Sequence, residues 1–178
     1  MMSYMKLMES VSISEPNMRQ NSQLKEEQYQ AVVSALDALL TDSTDWVAAM
    51  STVICELHNT FDHYHWTGFY RVTSPGHLQV GPYQGGHGCL DIPFTRGVCG
   101  AAARLQKTQL VEDVNAIEDH IACSSSTQSE LVVPVLSEKK DVIAVLDVDS
   151  DYPNAFDQID QHYLEVICQK LGHQFGAS

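Results

Sequence analysis

The apolar residues of this 178-residue chain change their spacing along the sequence, and that change limits the folds available to it. They follow the 3.6-residue period of a helix over Gln23–Leu40 and from Trp46 to about His58. Strand-like spacing then dominates to about Val148, and helical spacing returns near Asp157. Helices at both ends with hairpin-connected strands between them predict an α+β fold, a central antiparallel sheet with the N- and C-terminal helices packed on one face.

Two hairpins are predicted within the sheet. Trp66–Val72 pairs with Leu78–Tyr83 through a turn at Ser74–His77, and Glu130–Leu136 pairs with Val142–Val148. The smaller predicted elements are a strand within Cys89–Phe94, a helix at Gly97–Leu105, an extended piece at Thr108–Val111 and a polar loop at Glu112–Gln128.

The length and a hydrophobic content of 44% suit one domain. Residues 1–22 have no periodicity, so we predict a flexible tail there and one domain over residues 23–178. We see no secretory signal and no apolar run that could span a bilayer, so we expect a cytoplasmic location. A net charge of −13 with only 10 Lys and Arg argues against nucleic-acid and anionic-membrane partners.

Five cysteines are an odd number, which excludes a fully paired disulfide scaffold. Cys55 and Cys168 lie in apolar helical patterns and are expected to be core thiols. Cys89, Cys99 and Cys123 lie in Gly-rich or polar loop sequences. Their placement predicts thiol chemistry, either a nucleophilic thiolate with thiols that resolve it or a metal site.

Each of these three cysteines has a local group that could activate it. His87 precedes Cys89, His120 precedes Cys123 by three residues, and Cys99 lies in the first turn of a predicted helix. Zinc sites usually contain ligand pairs at short spacing, and the three thiols form no such pair. We therefore predict no metal.

Acidic residues and aromatic residues form two further candidate groups. Asp147 and Asp149 share one face at the end of the strongest strand, and Glu130 opens the preceding strand. They are either a solvated strand end or a carboxylate cavity in which one acid holds a proton. Trp66 and Tyr70 also share a face, as core residues or as an aromatic wall for a small ligand such as an amine.

Seven short segments, taken together and in order, resemble one family. They are Trp66–Tyr70, Gly81–Gly85, Arg96–Gly100, Glu112–Val114, His120–Cys123, Ser129–Pro134 and Val145–Ser150. The chain resembles the free methionine-(R)-sulfoxide reductases, which have a GAF-type fold, from about Gln23 to Gly172.

The resemblance implies a single GAF-like catalytic domain that reduces free L-methionine-(R)-sulfoxide but not the peptide-bound form. It also implies recycling by thioredoxin or a similar dithiol protein, without a cofactor. The implied catalytic residues are Cys89, Cys99 and Cys123, and the implied substrate-binding residues are Trp66, Tyr70, Glu130, Asp147 and Asp149.

We assign the attack to Cys123 and its resolution to Cys89, although members of the family differ in this order. Ser124 follows Cys123 where the family often has an acid, which we expect to change local polarity more than chemistry. The sequence leaves open a homodimer, and the alternative function is a non-catalytic GAF-type sensor of a small molecule or of redox state.

Overall fold

The computed structural model of the chain describes residues 15–117 and 123–176. Within these residues the elements, in chain order, are α1 (Glu15–Leu40), α2 (Trp46–Thr60), β1 (Trp66–Ser74), β2 (His77–Gln84), β3 (Asp91–Pro93), α3 (Gly97–Leu105), β4 (Gln109–Val111), a 3₁₀ turn (Val114–Ala116), β5 (Ser129–Leu136), β6 (Val142–Ser150) and α4 (Gln158–Phe175).

The six strands form one sheet in the order β3-β2-β1-β6-β5-β4, with every neighbouring pair antiparallel. Helices α1, α2 and α4 pack on one face, and α3 packs on the other. The predicted α+β fold, with the terminal helices on one face of an antiparallel sheet, is confirmed.

The side chains of β5 and β6 alternate between the two faces of the sheet, as the pleat requires. The side chains toward α1, α2 and α4 are buried and apolar, namely Leu131, Val133, Val135, Ala144, Leu146 and Val148. Val132 and Val145 pack on the opposite face against α3. The large core therefore lies between the sheet and helices α1, α2 and α4. The alternate positions of β5 and β6 face α3.

Helices α2 and α4 begin at side-chain caps that the sequence supplies. The Asp45 carboxylate accepts a hydrogen bond of 2.6 Å from the Ala48 amide. Asp157 and Asp160 form a capping box at the start of α4. Each cap stabilises its helix by about 1 kcal/mol.

A buried polar contact joins α1 to α4. Asp160 is fully buried and accepts hydrogen bonds from Lys25 Nζ at 2.7 Å and from Tyr29 Oη at 2.8 Å. Because both donors lie on α1, this carboxylate fixes the position of that helix beside α4.

Two predictions need correction. Helix α1 begins at Glu15, so residues 15–22 of the predicted tail belong to the helix, whereas residues 1–14 lie outside the described residues. Cys55 is exposed on α2 and is not a core thiol, while Cys168 is buried as expected. None of the helices in the described residues is long and apolar enough to cross a membrane.

We predict that Gly172→Ala destabilises the protein by about 1–3 kcal/mol, the usual cost of overpacking. A Cβ at this position of α4 would overlap the backbone carbonyl oxygen of Leu136 on β5, so the helix would have to move away from the sheet. Urea denaturation measures the change. Gly86→Ala is the control, because its Cβ would meet open space and the change should stay within about 0.5 kcal/mol. Equal stability of the two variants would contradict the close packing of α4 on β5.

Candidate active site

The register of β5 and β6 brings the three predicted acids together on the face that α3 covers. In the register between β5 and β6, Glu130 lies opposite Asp149. Two residues further along β5, Val132 lies opposite Asp147. Glu130 and Asp147 are buried, and Asp149 is partly buried. The two predicted alternatives for these acids are thus resolved in favour of a shared cavity, which all three line.

Helix α3 places Cys99 against these acids. Gly97 opens the helix with a φ of 70°, a value that glycine adopts without strain. The Cys99 Sγ lies 3.9 Å from Glu130 Oε1. Burial, followed by the nearby charges of Asp147 and Glu130, raises the pKa of the Cys99 thiol well above its usual value. A raised pKa favours the protonated thiol, the opposite of the activation that the helix N-terminus would provide.

The acids also perturb one another. Burial, then the neighbouring Glu130, raises the pKa of Asp147 well above its usual value. Burial, then Asp147 and Asp151, raises the pKa of Asp149 in the same direction. Carboxyl groups that are buried beside one another can retain a proton at neutral pH and can donate it during a reaction. The Asp147 Oδ1 atom is buried and has no hydrogen-bond partner among the described residues.

A disulfide joins Cys89, which follows β2, to Cys123, which precedes β5. Their Cα atoms are 5.2 Å apart, and both residues pack against the α3 side of the sheet. The structure thus brings together the three cysteines that the sequence singles out, with Cys99 free and buried beside the disulfide. His120, proposed above as an activator of Cys123, lies outside the described residues.

Aromatic rings form one wall of the site. Trp66 and Tyr70 stack with their ring centroids 5.6 Å apart, and Tyr83 stacks on Trp66 at 5.4 Å. The Trp66 Nε1 donates a hydrogen bond of 3.2 Å to the carbonyl of Gly86, which holds the glycine-rich loop after β2 against the ring. A Cβ at Gly88 would lie 2.9 Å from Trp66 Cζ2, so only glycine fits against this wall.

One cavity of about 30 Å³ connects these groups. Among the described residues it encloses space for about one water-sized guest. Besides the predicted residues, its lining includes some that we did not single out as site residues: His87, Gly88, Ile92, Gly97, Val98, Ser124 and Thr127. Their positions beside Cys89, Cys99 and Cys123 in the sequence are the signal that could have identified most of them.

The chain is similar in sequence to known proteins. A GAF domain family model matches residues 36–173. The chain is 33% identical to the free methionine-R-sulfoxide reductase of Saccharomyces cerevisiae over 153 residues, which cover 83% of this chain and 85% of the yeast protein.

Two solved structures are also similar. The free methionine-R-sulfoxide reductase of Neisseria meningitidis, in complex with its substrate, superimposes with a TM-score of 0.82 at 41% identity, covering 86% of this chain and 92% of that one. A putative GAF sensor protein from Burkholderia vietnamiensis gives a TM-score of 0.81 at 34% identity, covering 85% and 96%.

The fold and the thiol–carboxylate cavity define a GAF-type redox protein. The chain belongs to the GAF domain family and, within it, to the free methionine-R-sulfoxide reductases.

We predict that Asp147→Asn stabilises the protein at pH 8 and has less effect at pH 4. A carboxyl whose pKa is raised on folding stabilises the fold below its unfolded pKa of about 3.9, and that contribution is lost as the pH rises through the folded pKa. Asparagine lacks this titration. Urea denaturation from pH 4 to 8 measures the difference, with exposed Asp62→Asn as the control. A stability difference that does not vary with pH would contradict the raised pKa.

Proposed function

We propose that this chain reduces free L-methionine-(R)-sulfoxide to L-methionine, with Cys123 as nucleophile, Cys89 as resolving thiol and a thioredoxin-type dithiol protein as reductant. The observation on which the proposal depends is the Cys89–Cys123 disulfide beside the buried acids of one cavity. A thiol pair can supply two electrons, and a carboxyl group can supply a proton, which are the two requirements of sulfoxide reduction.

The first step breaks the S=O bond. The Cys123 thiolate attacks the electrophilic sulfur of the sulfoxide while a carboxyl of Asp147, Asp149 or Glu130 protonates the oxygen. The oxygen is transferred to Cys123, which becomes a sulfenic acid, and methionine leaves. The sulfoxide sulfur gains two electrons, and the cysteine sulfur loses two.

The second step forms the disulfide. The Cys89 thiol attacks the Cys123 sulfenic acid, an S–S bond forms, and the oxygen leaves as water. The Cys89–Cys123 disulfide of the described form supports this step, because it is the product that the step would give. An external dithiol then attacks the disulfide and returns both thiols.

The same cavity offers contacts that suit a free amino acid. A carboxylate that has lost its proton can bind the substrate ammonium, and the stacked Trp66 and Tyr70 rings can pack on its apolar part. A peptide-bound residue has no ammonium, so its binding would leave a buried carboxylate without a partner. Selectivity for the free amino acid follows from that unpaired group.

The proposed reaction uses only the protein's own thiols and an external reductant. Because the electrons come from thiols, the reaction needs no bound cofactor or metal. The proposed reductant, a thioredoxin-type protein, belongs with the cytoplasmic location that the sequence predicts. A homodimer stays a prediction.

We predict that the purified chain, supplied with thioredoxin, thioredoxin reductase and NADPH, oxidises NADPH when given free L-methionine-(R)-sulfoxide. The value of kcat/KM should fall at least about 100-fold for the N-acetylated substrate, because its amide cannot satisfy the buried carboxylates. The S epimer should also react poorly. Exposed Cys55→Ser is the matched control and should retain full activity.

Equal turnover of free and N-acetylated substrate would contradict the ammonium contact. Thiol oxidation without catalytic turnover would instead favour the alternative function, a GAF-type sensor.

We predict different failures for substitutions of Cys123, Cys89 and Cys99. Cys123→Ser should release no methionine, because the nucleophile is missing. Cys89→Ser should release one methionine per chain and then stop as a sulfenic acid. Cys99→Ser should lose less activity, because its raised pKa keeps this thiol protonated. Rapid-quench measurement of methionine in a single turnover distinguishes these outcomes. If Cys123→Ser still releases methionine and Cys99→Ser does not, Cys99 is the nucleophile.

A further inference from the structure

Three atoms that commonly bind metals meet inside the cavity. The Cys99 Sγ and one carboxylate oxygen each of Glu130 and Asp147 lie within 4.8 Å of one another. Cys99, Glu130 and Asp147 are 4%, 6% and 5% exposed, so all three ligand atoms belong to buried side chains.

This cluster has a deficit of positive charge. Among the described residues that line the cavity there is no lysine or arginine. The Asp147 carboxyl, which contributes to the cluster, has one buried oxygen, Oδ1, with no hydrogen-bond partner among the described residues. A buried acceptor without a partner is costly, and a cation at this position would satisfy it.

We infer that the reduced protein binds one Zn²⁺ at Cys99, Glu130 and Asp147, and that this ion reversibly inhibits the enzyme by occupying the substrate cavity. In a tetrahedral zinc site the bond lengths place a thiolate sulfur and a carboxylate oxygen about 3.6 Å apart. The Cys99 Sγ to Glu130 Oε1 distance of 3.9 Å is close to that value. Small side-chain movements therefore complete the three-ligand arrangement.

The ligand types select zinc over the abundant hard cations. Mg²⁺ and Ca²⁺ require six or more oxygen ligands, and a thiolate is a poor ligand for either. Zn²⁺ binds one thiolate and two carboxylates in four-coordinate geometry, with one position left over. The site is thus expected to discriminate strongly against Mg²⁺.

The fourth position links zinc binding to the redox state of the enzyme. Cys123 lines the same cavity, and Cys89 is its disulfide partner. In the reduced protein either thiol can complete the coordination, whereas in the disulfide neither can. Zinc should therefore bind the reduced form more tightly than the oxidised form.

Binding changes no oxidation state. The ion displaces the Cys99 proton and any proton held by the two carboxyl groups, and these protons pass to the solvent. The affinity should consequently rise with pH. The cavity cannot hold zinc and methionine sulfoxide together, so the inhibition should be competitive with substrate.

Cobalt(II), a spectroscopic substitute for zinc, tests the binding without any assay of activity. Anaerobic titration of the reduced protein should give a thiolate-to-cobalt charge-transfer band that saturates at one ion per chain. Added Zn²⁺ should abolish the band, and Mg²⁺ should not. The disulfide form should bind more weakly.

Two variants and one control locate the site. Cys99→Ser should remove the ligand at α3 and weaken the Kd at least about 10-fold, and Asp147→Asn should do the same with the charge-transfer band retained. Cys55→Ser, outside the cavity, should behave as wild type. Far-UV circular dichroism checks that each variant is folded. An unchanged Kd in both cavity variants, or displacement of cobalt by Mg²⁺, would overturn the inference.

The inhibition part rests on the proposed reductase activity, and the binding part does not. If the wild-type chain turns over methionine sulfoxide, Zn²⁺ should raise its apparent KM and a chelator should restore it. If the chain does not turn over, the proposed function fails, and the cobalt spectrum still decides whether the metal site exists. Zinc inhibition that leaves KM unchanged would contradict binding in the substrate cavity.

Discussion

Strand β6 is hydrogen-bonded along its length to β1 and to β5, and the site depends on that double pairing. The register places Asp149 between Trp66 and Glu130, and Asp147 between Gly68 and Val132. If β6 shifted its register by one residue, its acids would face α1, α2 and α4, and its apolar side chains would face the cavity. The pairing therefore fixes the core and the chemistry together.

The two faces of the sheet make opposite contributions to stability. The face under α1, α2 and α4 buries apolar side chains, each worth about 1.5–3 kcal/mol when fully removed from water. The face under α3 buries Cys99, Glu130 and Asp147, and burial raises the pKa values of Cys99 and Asp147. The apolar face offsets the cost of burying these ionisable groups.

Cys89, Cys99 and Cys123 lie in different environments. Cys99 is buried among carboxylates, which keeps its thiol protonated. Cys89 and Cys123 are only partly buried and form the disulfide, so they are more accessible to solvent than Cys99 is.

Local periodicity and turn residues were sufficient to predict the α+β class, the hairpins and the shared face of Asp147 and Asp149. They did not determine the environments of the thiols. Cys55 was misjudged because successive helical residues turn by about 100°, so the neighbour of buried Ile54 faces solvent. The contact between Cys99 and Glu130 joins residues 31 positions apart through the packing of α3 on β5, and no local pattern encodes that distance. The identity of the thiol that is buried among acids follows from tertiary packing, because burial and neighbouring charge depend on elements far apart in the chain.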